Sequence, residues 1–539
     1  MTYEELKKAY EKMSEKCSEL EKEIQNKTQI IEDKNLEIEN LTEQLLKRNQ
    51  MLFGKKAERS KNLYIDGQMS LDESFLVNEA EEQSDENADE PDAETVTEEP
   101  KKKHSHRGRS LHKNLPKKVI TFRLDEEECN CPDCKGKLRE LAPEHLTSRL
   151  AIIPGKVYMV EYNRMKYMCP HCDKIADKAV IVSAPNNTPV PVTNKGLADA
   201  SLIADIAQRK YQLGVPLYRQ EKYWEAQGIY INRTSMANWM IDAGRWLKPL
   251  AELLEKMAKT ARVLNFDETE LKVLKIDGKP SDKKCWMWVC ATGSKSVHKI
   301  AVYNFRTDRK KDTANELLKD FSGIVQTDGY VAYGDGDYIN AGCWAHCRRK
   351  FLDSIPQKNK KCKAAHAVML IDKAMELERM AREEKFDDER LLEMRREKVK
   401  PIIDEFYNFI TTLNPSKGSH LYGAVCYARN QKEKLLVFLD YPEVEMTNNL
   451  AERTVKPFVI NRKNFLFSDT EKGAEASAAI MSIIETAKRN GLDVYGYLLY
   501  LLTTLPALGK NPSEEKLIPL LPWSDSLPGY CKTNYSEIL

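Results

Sequence analysis

No stretch of this 539-residue chain approaches the roughly 18 consecutive apolar residues that a membrane-spanning helix needs. Its first residues are charged and of helical pattern, without the apolar centre of a secretory signal. These absences argue against a membrane or exported protein and lead us to expect a cytoplasmic one, where thiols stay reduced. Closely paired members of the 13 cysteines are therefore expected as metal ligands rather than disulfides. Net charge is almost absent too, at +1, but one segment conceals an asymmetry. Glu79 to Pro100 holds eleven acids and no Lys or Arg. Without those eleven charges the remainder carries about +12, a balance suited to polyanions.

What is present divides by length into roughly three or four units. The first 52 residues place Leu6, Tyr10, Met13, Cys17, Leu20, Ile24, Lys27, Ile31, Lys34, Ile38, Leu41, Leu45, Arg48 and Leu52 at alternating steps of four and three. Such a seam predicts a coiled coil and, through it, a homo-oligomer. Residues 53–118 read as a linker, first acidic and of low hydrophobicity, then basic, with Arg107 and Arg109 flanking Gly108. An arm of that kind can lie in a DNA minor groove or fold back on the acidic stretch.

Two Cys-x-x-Cys turns follow, Cys131/Cys134 and Cys169/Cys172, separated by strand formers. Four thiolates from two such turns make a closed tetrahedral site, so residues 119–182 are expected as a ribbon around structural Zn²⁺. Cys129 and His171 stand beside it as spare ligands. From 196 to 258 the pattern is helical, with a turn at Gly228 between two helices. The second begins Asn232-Arg233-Thr234-Ser235. A helix-turn-helix reader of DNA is built this way, with Arg233, Thr234 and Ser235 facing the bases, although any helical hairpin reads similarly.

Beyond Arg262 the texture changes to strands. Three strands, a helix and a fourth strand run from Arg262 to Thr327, and the first and fourth end in Asp267 and Asp328. This is the order of a ribonuclease H-like core, expected over residues 259–500 with a helical insertion at about 355–440 and a C-terminal tail over 501–539. The fold class is therefore multidomain α+β. Breaking a phosphodiester calls for a nucleophilic oxygen, charge neutralisation and stabilisation of the leaving oxygen, which a pair of cations can supply. Mg²⁺ takes oxygen ligands, so carboxylates serve. A third acid should come from a helix beside the sheet, and Glu452 lies just after Thr447-Asn448-Asn449, with Thr447 or Asn448 as its cap. Glu268 and Glu270 compete with Asp267, although strand alternation sends Glu268 to the opposite face. Glu475 and Glu485 are weaker rivals of Glu452.

The phrases Phe-Asp267-Glu-Thr, Thr-Asp328-Gly-Tyr, Cys343-Trp-Ala-His346-Cys-Arg348-Arg349 and Asn448-Asn-Leu-Ala-Glu452-Arg453, followed by Arg462-Lys463-Asn464, resemble the insertion-sequence 66 family of bacterial transposases. The likeness extends over nearly the whole chain. It implies that Asp267, Asp328 and Glu452 form an acidic catalytic triad for two Mg²⁺ ions. Thr447 stands where the family usually has Asp. His346, Arg348 and Arg349 follow the second acid, where a cation can clamp a phosphate, and with Arg453, Arg462 and Lys463 they complete the expected DNA contacts; His346 alternatively serves packing. The resemblance further implies a nucleoid-associated enzyme that cleaves element ends and joins them to double-stranded target DNA, with accessory proteins from the same element. No Tyr or Ser nucleophile motif points to a covalent intermediate. The rival expectation is a non-catalytic DNA-binding descendant of such an enzyme.

Overall fold

The computed structural model describes residues 117–532, apart from 126–127, 154, 171–179, 194–196, 331–332, 334–335 and 357–361, together with Met13, Lys16 and Lys27. The expected coiled coil, the linker to residue 116 with Arg107 and Arg109, and the thiol of Cys172 thus lie outside the described residues, those three helical positions excepted. The chain divides into two compact units. Among the described residues, one comprises residues 117–343 and 434–532, the other residues 344–433.

The first unit opens with β1 (Lys117–Phe122), β2 (Arg139–Glu140), β3 (Glu144–Ile153), β4 (Lys156–Arg164), β5 (Lys166–Met168) and β6 (Ile181–Ser183). They form two small sheets rather than one ribbon, ordered β1-β4-β3 and β2-β5-β6. The β3–β4 hairpin turns at Gly155, whose φ of +85° suits a residue without Cβ. Alternation along β4 serves two layers. Val157 and Met159 enter the main core, while Val160 and Tyr162 pack with Ile120 and Phe122.

Three helices follow: α1 (Ala200–Ala207), capped by Asp199; α2 (Leu217–Ala226); and α3 (Arg233–Ala258), capped by Asn232. Gly228, at φ +77°, makes the turn between α2 and α3. The last helix continues through Pro249. An internal proline costs a helix about 3 kcal/mol, but Leu250, Leu253, Leu254 and Ala258 prolong the buried face. Burial of that stripe outweighs the local penalty.

The central sheet is ordered β10-β9-β7-β11-β12, from β7 (Val263–Ile276), β9 (Lys284–Thr292), β10 (Ala301–Arg306), β11 (Ile324–Gln326) and β12 (Ile339–Ala341). The first three strands in chain order are antiparallel, and β11 then lies parallel to both β7 and β12. Helix α4 (Lys311–Leu317) makes the crossover, and β8 (Lys279–Pro280) extends the far end of β7.

At Trp344 the second unit begins, earlier than the expected residue 355. It contains α5 (Trp344–Leu352), α6 (Lys363–Glu383), α7 (Asp388–Met394), α8 (Lys400–Thr412) and α9 (His420–Asn430). The early start follows from an aromatic cluster: Trp344 and Phe351 of α5 both pack edge-on against Phe406 of α8.

The chain re-enters the first unit at Lys434 and adds α10 (Asn449–Phe465), β13 (Ser468–Thr470), α11 (Glu471–Arg489) and α12 (Val494–Leu508). Helix α11 crosses α3 so closely that a Cβ on Gly244 would fall 2.5 Å from Ala476. It also covers the edge strand β10. Ser482 Oγ accepts the Tyr303 N–H at 2.8 Å and Thr486 Oγ1 the Ala301 N–H at 3.0 Å, while Thr486 donates back to the Ala301 carbonyl. An open sheet edge is thereby satisfied by side chains. Of residues 501–539, expected as a tail, the described ones to residue 532 finish α12 and then send Leu517, Leu520, Leu521, Leu527 and Cys531 into the main core.

Candidate functional site

Parallel pairing of β7 and β11 sets Asn265 opposite Gln326. Two residues further along each chain, on the same face, come Asp267 and Asp328. The sequence placed Asp267 at a strand end; it lies within β7, which continues to Ile276. Asp328 follows β11 directly, and its Oδ1 accepts the Tyr330 N–H at 2.9 Å. Gly329, at φ +91°, allows the chain to turn there without a Cβ clash.

Glu452 sits in the first turn of α10. Asn448 occupies the cap position, as the sequence indicated, but makes no capping bond. Its side chain points into the sheet, where Nδ2 donates to the Phe266 carbonyl at 2.9 Å and Oδ1 accepts from Asn265 Nδ2 at 2.8 Å. Its backbone N–H meets Cys343 Sγ at 3.1 Å. The start of α10 is thus pinned to the strand that carries Asp267.

The electrostatics agree with this convergence. Burial pushes the Asp267 carboxyl up to about 7, reinforced by the negative charges of Glu268, Asp328 and Glu452 and opposed by the Glu268 N–H that it accepts. Glu268 contrasts with it. Its side chain is only 1% exposed, is paired with Arg309 and accepts the Tyr333 hydroxyl. Arg309 is itself held 3.7 Å from the Tyr330 ring centroid and 4.8 Å from that of Trp286. Sequence reading noticed Glu268 as a competitor but missed Arg309 and Tyr333, which bring its charge a partner. The carboxylate oxygens of Asp267, Asp328 and Glu452 suit a hard cation such as Mg²⁺, and the Cys343 thiol lies within 4.8 Å of a Glu452 oxygen beside them.

At the cysteine turns, Sγ atoms of Cys131, Cys134 and Cys169 lie within 4.8 Å of one another. The first turn is closed by Lys135 N–H to the Cys131 carbonyl at 2.9 Å and Cys131 N–H to the Gly136 carbonyl at 2.8 Å. Cys129 is set apart from this group, packing with Met165 and Tyr167 while its thiol points to the Leu124 carbonyl. A convergent thiol cluster without disulfides fits a thiophilic tetrahedral ion such as Zn²⁺.

A family model described as "Transposase IS66 family" matches residues 195–476, spanning both acidic strands and α10. This chain belongs to the IS66 transposase family. Three further models of the family agree in order along the chain. "Transposase C of IS166 homeodomain" matches residues 40–120, "zinc-finger binding domain of transposase IS66" residues 128–173, and "IS66 C-terminal element" residues 482–523. The chain is 32% identical over 410 residues to the uncharacterized protein y4qI of Sinorhizobium fredii, covering 73% of each chain. It is also 28% identical over 430 residues to uncharacterized protein y4jD of the same organism, covering 77% of this chain and 81% of that one.

The expected DNA contacts are distributed unevenly in this transposase-family chain. Arg453 and Lys463 are exposed on α10. Arg462 is half-buried and donates to the Glu270 carbonyl, which ties the helix end to β7. Arg233 and Thr234 are half-exposed at the start of α3, and Arg233 lies over the Tyr218 ring. Ser235 corrects the expectation: it is 3% exposed, because the Asn232 cap that accepts its N–H turns it toward the core. In the second unit, Arg349 is exposed with its guanidinium 3.5 Å from His346 Nε2, whereas Arg348 is paired with Asp372. No described helix is long and apolar enough to cross a membrane.

Proposed function

We propose that this family member is the enzyme of an insertion sequence, cutting DNA at the element ends and joining them to a target. The order β10-β9-β7-β11-β12, antiparallel then parallel, is the one a ribonuclease H-like core has. Asp267 on β7, Asp328 just beyond β11 and Glu452 on α10 then form the ligand set for two Mg²⁺ ions. The observation that carries this reading is the raised Asp267 carboxyl, lifted to about 7 by burial and by three neighbouring acids. Such crowding of negative charge is expected where a cation belongs.

When bound, the ions supply charge neutralisation at the phosphoryl group and favour ionisation of the attacking water. The protein's part is to hold carboxylate oxygens at fixed places and to present the DNA. Water attacks the phosphodiester at each end, the bond from phosphorus to the 3′ oxygen breaks, and a free 3′ hydroxyl results. That hydroxyl then attacks a target phosphodiester, displacing a second 3′ oxygen. Backbone contacts are assigned to exposed Arg349, Arg453 and Lys463 and to the basic arm of Arg107 and Arg109. Arg233 and Thr234 at the start of α3 are assigned to element ends. Zn²⁺ held by Cys131, Cys134, Cys169 and Cys172 keeps the two small sheets folded. Residues 1–52 pair subunits for bringing two ends together, and accessory proteins of the element complete the assembly.

Strand cleavage of an end carrying the native terminal repeat, with Mg²⁺ present, tests the reading. Asp267→Ala, Asp328→Ala and Glu452→Ala should each lower cleavage by at least about 10²–10³-fold, the scale of losing one electrostatic group from a transition state. End binding in a mobility-shift assay should persist. Wild-type cleavage by Asp267→Ala would refute the assignment.

A further inference from the structure

Beneath the acidic cluster lies a tier of three uncharged amides. Asn265, Gln326 and Asn448 are 3%, 1% and 1% exposed. Asn265 Nδ2 donates to both partners, to Gln326 Oε1 at 2.9 Å and Asn448 Oδ1 at 2.8 Å. Gln326 Nε2 donates to the carbonyls of Glu445 at 2.5 Å and Gly342 at 3.3 Å. Asn448 Nδ2 closes the set on the Phe266 carbonyl. Reversing any of the three amides would set donor against donor or carbonyl against carbonyl, so the network fixes its own orientation.

Each amide lies in or beside the element that carries one acid. Asn265 stands two residues before Asp267, Gln326 two before Asp328, and Asn448 four before Glu452. Those are the spacings that keep a pair on one face of a strand or of a helix. The same three elements that must meet for the carboxylates to meet are therefore bonded to one another one step below. We propose that Asn265, Gln326 and Asn448 are positioning residues that set the spacing of Asp267, Asp328 and Glu452 for Mg²⁺. Their neutrality belongs to the role: amides can donate to each other and to carbonyls, whereas acids at these places would add further negative charge beneath the three carboxylates. Mg²⁺ accepts little departure from octahedral geometry, so small shifts of one element should weaken it strongly. This inference rests on the reading of the acids as a metal site.

The test is Mg²⁺ binding by the full chain, read without catalysis as the midpoint of metal-dependent thermal stabilisation. Asn448→Ala removes one corner, and Gln326→Met removes another while keeping side-chain length and volume. In both, the Mg²⁺ midpoint should rise about 10–100-fold, the usual effect of losing an outer-shell support, with unchanged far-UV circular dichroism and end-DNA affinity within about twofold. Mn²⁺, tried in parallel, should lose less than Mg²⁺. Variants that fold and bind Mg²⁺ like wild type overturn the inference alone, and so does loss of fold in both, which would make the tier a stability element. A wild-type protein with no Mg²⁺ response overturns the metal reading and the inference with it.

Discussion

The helical unit of residues 344–433 and the acid-bearing end of the central sheet treat negative charge in opposite ways. In the helical unit Glu378 and Arg395 are 8% and 2% exposed and share two hydrogen bonds of 2.8 Å. Its surface acids are likewise matched, with Arg379 bridging Glu376 and Glu383 and Lys400 joining Asp404. At the sheet end, burial makes Asp267 hold its proton more tightly, and the carboxylates that are its charged neighbours add to the effect. One strand position away Glu268 follows the first pattern, paired with Arg309. A buried carboxylate with an Arg opposite it is complete as folded. One among other carboxylates holds its proton or, on the function proposed above, takes a cation.

The largest expected effect concerns the other crowded set of ligand groups, the thiols. Removing Zn²⁺ with a chelator, or combining Cys131→Ser with Cys169→Ser, should unfold the sheets of residues 117–183, because structural zinc commonly contributes about 10 kcal/mol or more of apparent binding energy. Elemental analysis should give about one zinc per chain. A zinc-free protein with an unchanged circular dichroism spectrum would place the thiols among inert core residues.

Next in size is the buried pair. Glu378→Ala leaves the Arg395 charge without its carboxylate and should cost about 3–5 kcal/mol in denaturant unfolding, while Glu378→Leu with Arg395→Met should be nearly neutral. Equal losses in the single and double variants would mean that the pair matters for packing rather than for charge.

The smallest effect is the most specific to the comparison. The folded Asp267 carboxyl titrates near 7, above its unfolded value of about 3.9. The folded state thus binds the proton more tightly, and its metal-free stability falls as pH rises between those values. Above pH 7 the penalty is complete, so Asp267→Asn should stabilise the metal-free protein at pH 8 by up to about 4 kcal/mol and should not at pH 4. Mg²⁺ must displace the same proton, so its affinity should fall about tenfold per pH unit below 7 and level off above. A flat profile from pH 5 to 8 would separate Asp267 from the metal.

Much of this site was readable before the fold was known. Strand texture near Asp267 and Asp328, and paired Asn residues ahead of Glu452, follow from local pattern, although Asp267 lies inside its strand and Asp328 just beyond its own rather than at strand ends. The amide tier was not readable. Asn265 and Gln326 look like ordinary polar residues, since their partners are 61 and 183 residues away from Asn265. Ser235 misled because polarity near a helix start suits both a DNA-facing residue and one turned inward by its cap. The last residues misled because a short apolar segment reads as a tail until a groove for it exists.

The sequence by itself determined the periodicities and the ligand types: the heptad seam, the two cysteine turns, the acids and the order of strands. These depend on side-chain chemistry and on spacings of a few residues. Tertiary structure decided which acid keeps its charge uncompensated. Asp267 and Glu268 are neighbours of like chemistry, and only the packing of β7 against its surroundings turned one toward Arg309 and the other toward carboxylates. It also decided that α3 outruns Pro249 and that Leu517 to Leu527 close the core, since the burial that outweighs local preference is contributed by residues distant in the chain.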